Sequence, residues 1–164
     1  MESPLSAAAF RRVLGHYPTG VCVITANLNG QSVGMVVGSF TSVSLEPPLV
    51  AFFPDKKSSS WSLIERAGKF CVNVLASDQL SLCRKFASRG GNKFDNVTHR
   101  ISANGSPILD HIVAWVDCTI YATHDAGDHK IVLGMVADLE VDRPTSPLLF
   151  FQGGYGAFST VNVV

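Results

Sequence analysis

Short runs of alternating apolar and polar residues dominate the chain, and such runs are typical of β-strands. In the longest run, residues 131–141, apolar residues occupy every second position, and Asp138 and Glu140 lie on the other face. A second run alternates over residues 114–120. Because successive side chains of a strand point to opposite faces, each run predicts a strand with one face in the core and one in water.

Other strands are predicted by β-branched segments, which are separated from one another by turn residues. The segment VCVIT follows Thr19, and the Asn29-Gly30 pair predicts a tight hairpin into a second strand over residues 31–37. Pro47 and Pro48 interrupt the next apolar stretch, which is typical of an edge or a bend. Further strand segments are predicted over residues 42–44, 49–53, 69–75 and 148–151.

Three helices are predicted. The first is capped by Ser3, has Pro4 in its first turn and packs by an apolar face made of Phe10, Val13, Leu14 and Tyr17. The second covers residues 60–66, where Ser62 and Glu65 have capping-box spacing. The third begins at Asp78, ends at residues 88–92 and has one side made of Leu80, Cys83 and Ala87.

Many strands, hairpin turns and few helices predict a mainly β fold, a closed antiparallel β-barrel with peripheral α-helices. The 164 residues suffice for one core, so residues 1–164 are expected to form a single domain. Charged residues make up 16% of the chain, against roughly a quarter in typical soluble domains. This low fraction predicts a further buried interface, for which a homodimer is the commonest form.

Net charge argues against two classes of partner. Lys plus Arg and Asp plus Glu number 13 each, so no global positive field draws in nucleic acid or an anionic membrane. Residues 84–100 are locally basic, however, with five cationic residues and a single acid, Asp95. This stretch either attracts the phosphates of a dinucleotide or is a solvated loop, and the sequence leaves both alternatives open.

The cysteines, the first residues and the length of the apolar runs bear on the cellular compartment of the protein. Apolar neighbours predict that the cysteines are buried free thiols in a reducing cytosol; they are Cys22, Cys71, Cys83 and Cys118. No C-x-x-C motif occurs, so no zinc site is predicted. The first residues lack a leader pattern, and no apolar run reaches the ~20 residues of a membrane span, so we expect a soluble, cytoplasmic protein.

Residues 34–50, GMVVGSFTSVSLEPPLV, are the first candidate for a binding site. Small residues remove bulk there, hydroxyls supply polar groups, and backbone N–H groups near Val37 to Ser39 could meet the polar edge of a flat aromatic ligand. The alternative is a serine-rich turn with a purely structural role beside Pro47 and Pro48. The small and hydroxyl residues are Gly34, Gly38, Ser39, Ser42 and Ser44.

Three further positions carry candidate chemistry. Ser58, Ser59 and Ser60 lie at the start of a predicted helix, where they either bind an anion such as a phosphate, with charge from nearby lysines, or only cap the helix. His129 follows Gly127 and Asp128 in a turn, and its imidazole can donate to a carboxamide or supply a proton near neutral pH. Tyr155, in GGYG, either stacks on a cofactor or packs over the barrel end.

Seven segments, in order, resemble the flavin reductase family of the FMN-binding split-barrel fold. The resemblance covers residues 10 to about 158 and is carried by HYPTGVCVIT, SFTSVSLEPPLV, DKKSSSW, FCVNVLASDQ, GSPILD, GDHKIVLGMV and PLLFFQGGYG. The chain departs from the family pattern at Val36 and Gly38, where many members carry Thr and Asn, and at Gln152, where many carry Arg.

This resemblance implies a split β-barrel of Greek-key type and an NAD(P)H:flavin oxidoreductase. Such an enzyme passes a hydride from NADH or NADPH to FMN or FAD at a dimer interface and supplies reduced flavin to a partner monooxygenase. A flavin- or haem-binding split-barrel module without turnover is the alternative. The resemblance implies that His129 is catalytic, placing the nicotinamide, and that the cofactor-binding residues are Val36, Val37, Gly38, Ser39, Ser42, Phe53, Asp55, Ser58, Ser59, Ser60, Phe86, Ala87, His129 and Tyr155.

Overall fold

The computed structural model describes residues 5–162, so Ser3 and Pro4, the predicted start of the first helix, lie outside it. Within this range the helices are α1 (Ala7–Leu14), α2 (Ser59–Ala67) and α3 (Leu80–Ala87). None of the helices in residues 5–162 is long and apolar enough to cross a membrane. The strands are β1 (Thr19–Gly20), β2 (Cys22–Leu28), β3 (Gln31–Val37), β4 (Thr41–Leu45), β5 (Pro48–Phe52), β6 (Lys69–Val74), β7 (His99–Ile101), β8 (Pro107–Leu109), β9 (Ala114–Ala126), β10 (His129–Val141), β11 (Leu148–Phe151) and β12 (Gly154–Ala157).

Seven of the strands form one antiparallel sheet in the order β3-β2-β6-β9-β10-β5-β4. The β2–β3 hairpin turns at Asn29 and Gly30, as predicted, and both residues have positive φ, 52° and 85°. The longest pair, β9 and β10, turns at Gly127, where φ is 67°. Two smaller sheets have the orders β1-β11-β12 and β7-β8.

The prediction of a mainly β fold with few helices is confirmed, whereas the prediction of a closed barrel is not. Strands β3 and β4 stand at the two ends of the seven-stranded sheet, and within residues 5–162 no ladder joins them. Hairpin signals identify neighbours in sequence, but they carry no information about whether the first and last strands meet.

Both faces of the central strands are buried, because elements cover the sheet on each side. Along β2, Ile24 and Val23 point to different apolar clusters. One cluster centres on Phe52, whose ring packs edge-on against Trp61 of α2 and Phe70 of β6 at centroid distances of 5.8 and 5.1 Å. The other, which involves α3, includes Leu75, Cys83, Phe86, Leu109 and Ile112.

The prediction of which face of β10 is core is wrong. Val132 and Gly134 are buried, whereas Leu139 and Val141 on the predicted core face are each 58% exposed. Alternation shows which residues share a face, but not which face other elements cover. The ring of Phe70 packs so close to Gly134 that an added Cβ would lie 2.5 Å from its Cζ atom. Two register shifts along β9 and β10 interrupt the alternation further.

The helices also differ in detail from the predictions. The N-cap of α2 is Ser58, which accepts a hydrogen bond from the N–H of Trp61, rather than Ser62. Ser6 caps α1, and α3 begins at Leu80 rather than at Asp78. The apolar face of α1, predicted to pack, has no buried residue, and the side chains that remain exposed are Phe10, Val13, Leu14 and Tyr17.

Candidate functional site

A large open groove of about 1400 Å³ lies beside the first half of β3. Its floor is the β2–β3 turn and the start of β3, from Asn29 to Gly34. Helices α2 and α3 both pack against β3, so the start of α2 and the loop after α3 form the two walls. Of the predicted site residues, the groove brings together Asp55, Ser58, Ser59, Ser60 and Ala87.

The start of α2 lines the groove and leaves backbone N–H donors free there. The side chain of Ser58 caps the helix by accepting from the N–H of Trp61 at 3.1 Å. The N–H groups of Ser59 and Ser60 have no acceptor in the described part of the chain, as expected for the first turn of a helix. The capping alternative therefore applies to Ser58, whereas the free N–H groups of Ser59 and Ser60 are compatible with anion binding, which stays a prediction.

The segment that leads into α2 is bound to the tip of the β9–β10 hairpin. The main chain of Asp55 pairs with that of His129 as an isolated antiparallel bridge. The N–H of Lys56 donates to the carbonyl of Asp128 at 3.0 Å, and the N–H of Lys130 donates to the carbonyl of Pro54 at 3.0 Å. These bonds place His129 beside Asp55, which lines the groove just before α2.

An ion-pair network reinforces this contact. The Oδ1 atom of Asp125, near the end of β9, lies 3.2 Å from the Nζ of Lys56 and 3.0 Å from the Nζ of Lys130. Hydrogen bonds from these two ammonium groups hold the pKa of the Asp125 carboxyl below its usual range. The carboxylate is well exposed, so water screens each pair, and the backbone bonds remain the main connection.

The side chain of His129 is half exposed and oriented by its neighbour. Its Nδ1 lies 2.7 Å from the Oδ1 of Asp128, and this hydrogen bond lowers the pKa of the Asp128 carboxyl. With Nδ1 donating to Asp128, Nε2 remains available to a ligand, as an acceptor on the neutral ring or a donor on the protonated one.

Three more predicted residues lie in or beside strands β4 and β5. The N–H of Phe53 donates to the Oγ of Ser39 at 2.9 Å, which joins the start of β4 to the end of β5. Phe53 is two residues before Asp55 and is 40% exposed. Ser42 pairs with Val50 in the β4–β5 ladder and is exposed.

The remaining predicted residues of the flat-ligand turn lie in a separate cavity of about 180 Å³, which shares no lining residue with the groove. It contains Val36, Val37, Gly38 and Tyr155. The Tyr155 ring is 5.2 Å from that of Phe150, and its hydroxyl is 3.7 Å from the thiol of Cys83. The hydrogen bond to that thiol raises the pKa of Tyr155. Tyr155 thus packs over the end of the small sheet while bordering a cavity.

Phe86 lies in the core and does not line the groove. Its side chain is 1% exposed, and its ring occupies the space beside Gly34, where an added Cβ would lie 2.6 Å from Cε1. Gly34 is thus required for the packing of α3 on β3. Phe86 fixes the position of Ala87, the next residue, in the wall of the groove.

Two parts of the groove contain none of the residues that the sequence singled out as a site. One is the β2–β3 turn, residues 29–32, which was identified only as a hairpin. The other is the loop of residues 88–94, which includes Arg89 and Lys93. The signal for this loop was its local positive charge, and its position on the groove favours the phosphate-binding alternative over a solvated loop.

The sequence and the structure of the chain are both similar to those of known proteins. The model of the flavin reductase like domain matches residues 14–159. A flavin reductase of Pseudomonas putida is 54% identical over 162 residues, covering 98% of this chain and 95% of that protein. The reductase subunit HsaB of a flavin-dependent monooxygenase of Rhodococcus jostii is 49% identical, covering 89% and 75%. The crystal structure of nitrilotriacetate monooxygenase component B from Mycobacterium thermoresistibile aligns with a TM-score of 0.90 at 45% identity, covering 93% and 86%.

Proposed function

The chain belongs to the flavin reductase like domain family, and we propose that it transfers a hydride from NADH or NADPH to FMN or FAD. The reduced flavin then serves a partner flavin-dependent monooxygenase, as the name of the HsaB relative states for that protein. The observation that carries this function is the bridge between Asp55 and His129, because it holds an imidazole beside a helix start with free N–H donors.

The residues present fit a flavin phosphate. The N–H groups of Ser59 and Ser60, with their hydroxyls, offer hydrogen bonds to a phosphate, and the positive end of the α2 dipole favours its charge. Lys57 lines the same wall and adds a cation. Among the described residues that line the groove, Asp55 alone carries a carboxylate, and it already accepts from the N–H of Lys57 at 2.7 Å.

When bound, the flavin accepts a hydride directly from the nicotinamide, and this redox chemistry belongs to the cofactors. The contribution of the chain is to position them and to exclude water. We assign nicotinamide positioning to His129, whose Nε2 contacts the carboxamide while Asp128 fixes the ring through Nδ1. Ser39, Ser42 and Phe53 are proposed to border the flavin ring.

A shared groove between two copies of the chain is part of the proposal. Three apolar side chains of the β9–β10 pair, Tyr121, Leu139 and Val141, are between 55% and 58% exposed. The apolar face of α1 is exposed as well. A monomer seldom leaves this much apolar surface in water, so these faces support a homodimer. Light scattering at micromolar concentration should give twice the chain mass, and a monomer that still oxidises NADH would refute the shared groove.

Barrel closure belongs to the same proposal. Side chains from β2, β3, β5, β6, β9 and β10 all contribute to the one cluster around Phe52, which supports a sheet that curves around this core. We propose that residues 1–164 form one such split-barrel domain of Greek-key type, with β3 and β4 approaching each other.

The cysteines support a reducing, cytoplasmic setting. All four are buried and unpaired, as the sequence predicted. Burial raises the pKa of the Cys22 and Cys118 thiols to about 12, so neither forms a reactive thiolate near neutral pH.

The proposed function is tested by incubating the purified chain with NADH and following NADH consumption with and without added FMN or FAD. A reductase consumes NADH many times over in air only when flavin is present. A flavin-binding module without turnover would bind flavin and leave NADH unconsumed, and this outcome would reject the enzymatic function.

A further inference from the structure

Three buried polar side chains on neighbouring strands hold the β7–β8 hairpin against the seven-stranded sheet. They are Thr25 of β2, Asn73 of β6 and Asp117 of β9, and none is more than 1% exposed. The hydroxyl of Thr25 donates to the carbonyl of Pro107, and the Oδ1 of Asn73 accepts from the N–H of Leu109 at 2.8 Å. The amide of Asn73 also donates to Thr25 at 3.0 Å, so these two anchors of β8 form one connected network.

The third anchor, Asp117, is not satisfied in the same way. Its Oδ2 accepts from the N–H of Asn104 at 3.4 Å, which is longer than an ordinary N–H···O bond. Its Oδ1 is buried and has no hydrogen-bond partner within residues 5–162. The indole Nε1 of Trp115, two residues away on the same face of β9, lacks a partner in that range as well. A buried carboxylate in this setting costs more than the neutral acid does.

No cation compensates the carboxyl of Asp117, since none of the ion pairs in the described part of the chain includes it. The titratable groups around it are Cys71 of β6, Cys118 of β9, Asp138 of β10 and Arg100 of β7. Of these, only Arg100 is a cation, and its guanidinium is already paired with Asp142 at 2.8 Å.

The surroundings of Asp117 therefore favour its neutral form. Burial raises the pKa of this carboxyl above its usual range, and the negative charge of Asp138 raises it further. Hydrogen bonds from Ser102 and Asn104 lower the pKa without cancelling the effect of burial.

The hairpin also contacts one wall of the groove beside β3. The ring of His99, in β7, packs edge-on against that of Phe94 at a centroid distance of 5.2 Å. Phe94 lines the groove and packs in the same manner against Phe86 of α3 at 5.1 Å. A displacement of β7 therefore reaches the groove through two ring contacts.

We propose that Asp117 is a pH-responsive anchor of this hairpin. As the neutral acid, it keeps the loop of residues 102–106 against β9, and its ionisation loosens that loop and β7, and with them the wall at Phe94. Strand β8 stays in place, because Thr25 and Asn73 hold it without a titratable group. The device does not depend on which ligand occupies the groove.

The direction of the pH dependence follows from the raised pKa of Asp117. The folded chain binds this proton more tightly than the unfolded chain, in which the carboxyl has a pKa of about 3.9. The stability that the proton contributes is therefore complete below about pH 3.9 and is lost as pH rises through the folded pKa.

Hydrogen exchange measured by NMR between about pH 4 and pH 8 tests the proposal, with protection factors used to remove the intrinsic pH dependence of exchange. The N–H groups of Ser102 and Ser106, which bond within the loop, should lose protection about tenfold as pH rises. The N–H of Val97, bonded to the carbonyl of Phe94, reports on the groove wall and should follow. The N–H of Leu109 is the internal control and should keep its protection.

Two variants identify the titrating group. Asp117→Asn keeps an acceptor for Asn104 but cannot ionise, so its loop should stay protected at every pH. Asp138→Asn removes the neighbouring charge that raises the pKa of Asp117, so the loss of protection should persist with a midpoint at lower pH. The carboxyl carbon shift of Asp117 in the wild type gives its titration midpoint without any substitution.

The anchor is rejected if that midpoint lies at or below about pH 3.9, or if Asp117→Asn loses protection with pH as the wild type does. A loop whose protection does not change with pH would reject it too. Constant protection at Val97 beside a loosened loop would overturn the link to the groove.

Discussion

Asp55 and His129 pair through their main chains as an antiparallel bridge, which joins the segment before α2 to the tip of the β9–β10 hairpin. The side chain of His129 takes no part in this bridge and points to Asp128 instead. The position of the hairpin and the chemistry of the imidazole are therefore separable, so a substitution at His129 tests the chemistry while leaving the bridge in place.

His129→Ala should lower kcat/KM for NADH by roughly 10- to 100-fold, about 1.4 to 2.7 kcal/mol, the value of one lost orienting contact. Flavin affinity and melting temperature should hardly change, because the side chain is half exposed. His124→Ala, at an exposed position of the same hairpin, is the control and should retain full activity. Full activity together with a lowered melting temperature in His129→Ala would show that His129 has a structural role and is not part of the site.

Ser58 and Ser59 should have different effects, although they are neighbours. Ser58→Ala removes the N-cap of α2 and should cost about 1 kcal/mol of folding free energy, measured by urea unfolding. Ser59→Ala removes no cap and should leave stability unchanged, but raise the Kd for FMN about tenfold through a lost contact to phosphate. Equal flavin affinity in Ser59→Ala and the wild type would argue against phosphate binding at the start of α2.

The carboxylate of Asp128 should make a pH-dependent contribution to stability. Its pKa is lowered in the folded chain by the hydrogen bond from His129, so this contribution is present above the unfolded value of about 3.9 and is lost as pH falls through the folded pKa. Asp128→Asn should therefore lower the melting temperature more at about pH 5 than at about pH 2. Asp110→Asn serves as a control for the loss of one surface charge. If the difference in melting temperature between the wild type and Asp128→Asn grew as the pH was lowered, the stabilising role of the Asp128 carboxylate would be contradicted.

Hairpins and strands could be predicted because their signals are local. Asn29 and Gly30 have the positive φ values that their residue types favour, and β3 has the predicted bounds. The inward face of β10 could not be predicted, because it depends on Phe70, which lies far away in sequence, and on the absence of a side chain at Gly134.

The candidate site, too, could be predicted only where the signals are local in sequence. The serine run and His129 carry recognisable chemistry, and the structure joins His129 to Asp55, which lines the same groove as the serines. The sequence did not indicate that Val36, Gly38 and Tyr155 would line a different cavity, because that placement depends on contacts between segments that are distant in sequence. Nor did it indicate that the β2–β3 turn would form the floor of the groove.

The close packing at Gly134 gives a prediction about stability alone. Gly134→Ala places a Cβ 2.5 Å from the Cζ of Phe70 and 3.2 Å from the Cβ of Cys118, so we expect a loss of roughly 1–3 kcal/mol in unfolding free energy. Gly156→Ala is the matched control, since no atom lies within 4 Å of its added Cβ. Equal stability of the two variants would show that the sheet adjusts freely at this point.

The central claim is hydride transfer from NADH to flavin on this chain. Its most direct test is an anaerobic titration of the chain and FMN with NADH, in which the absorbance of NADH and the absorbance of oxidised flavin are both recorded. The account predicts that flavin absorbance is lost in step with NADH oxidation, one flavin for each NADH, at a rate that falls in His129→Ala. NADH and oxidised flavin that persist together in the presence of the wild-type chain would contradict it.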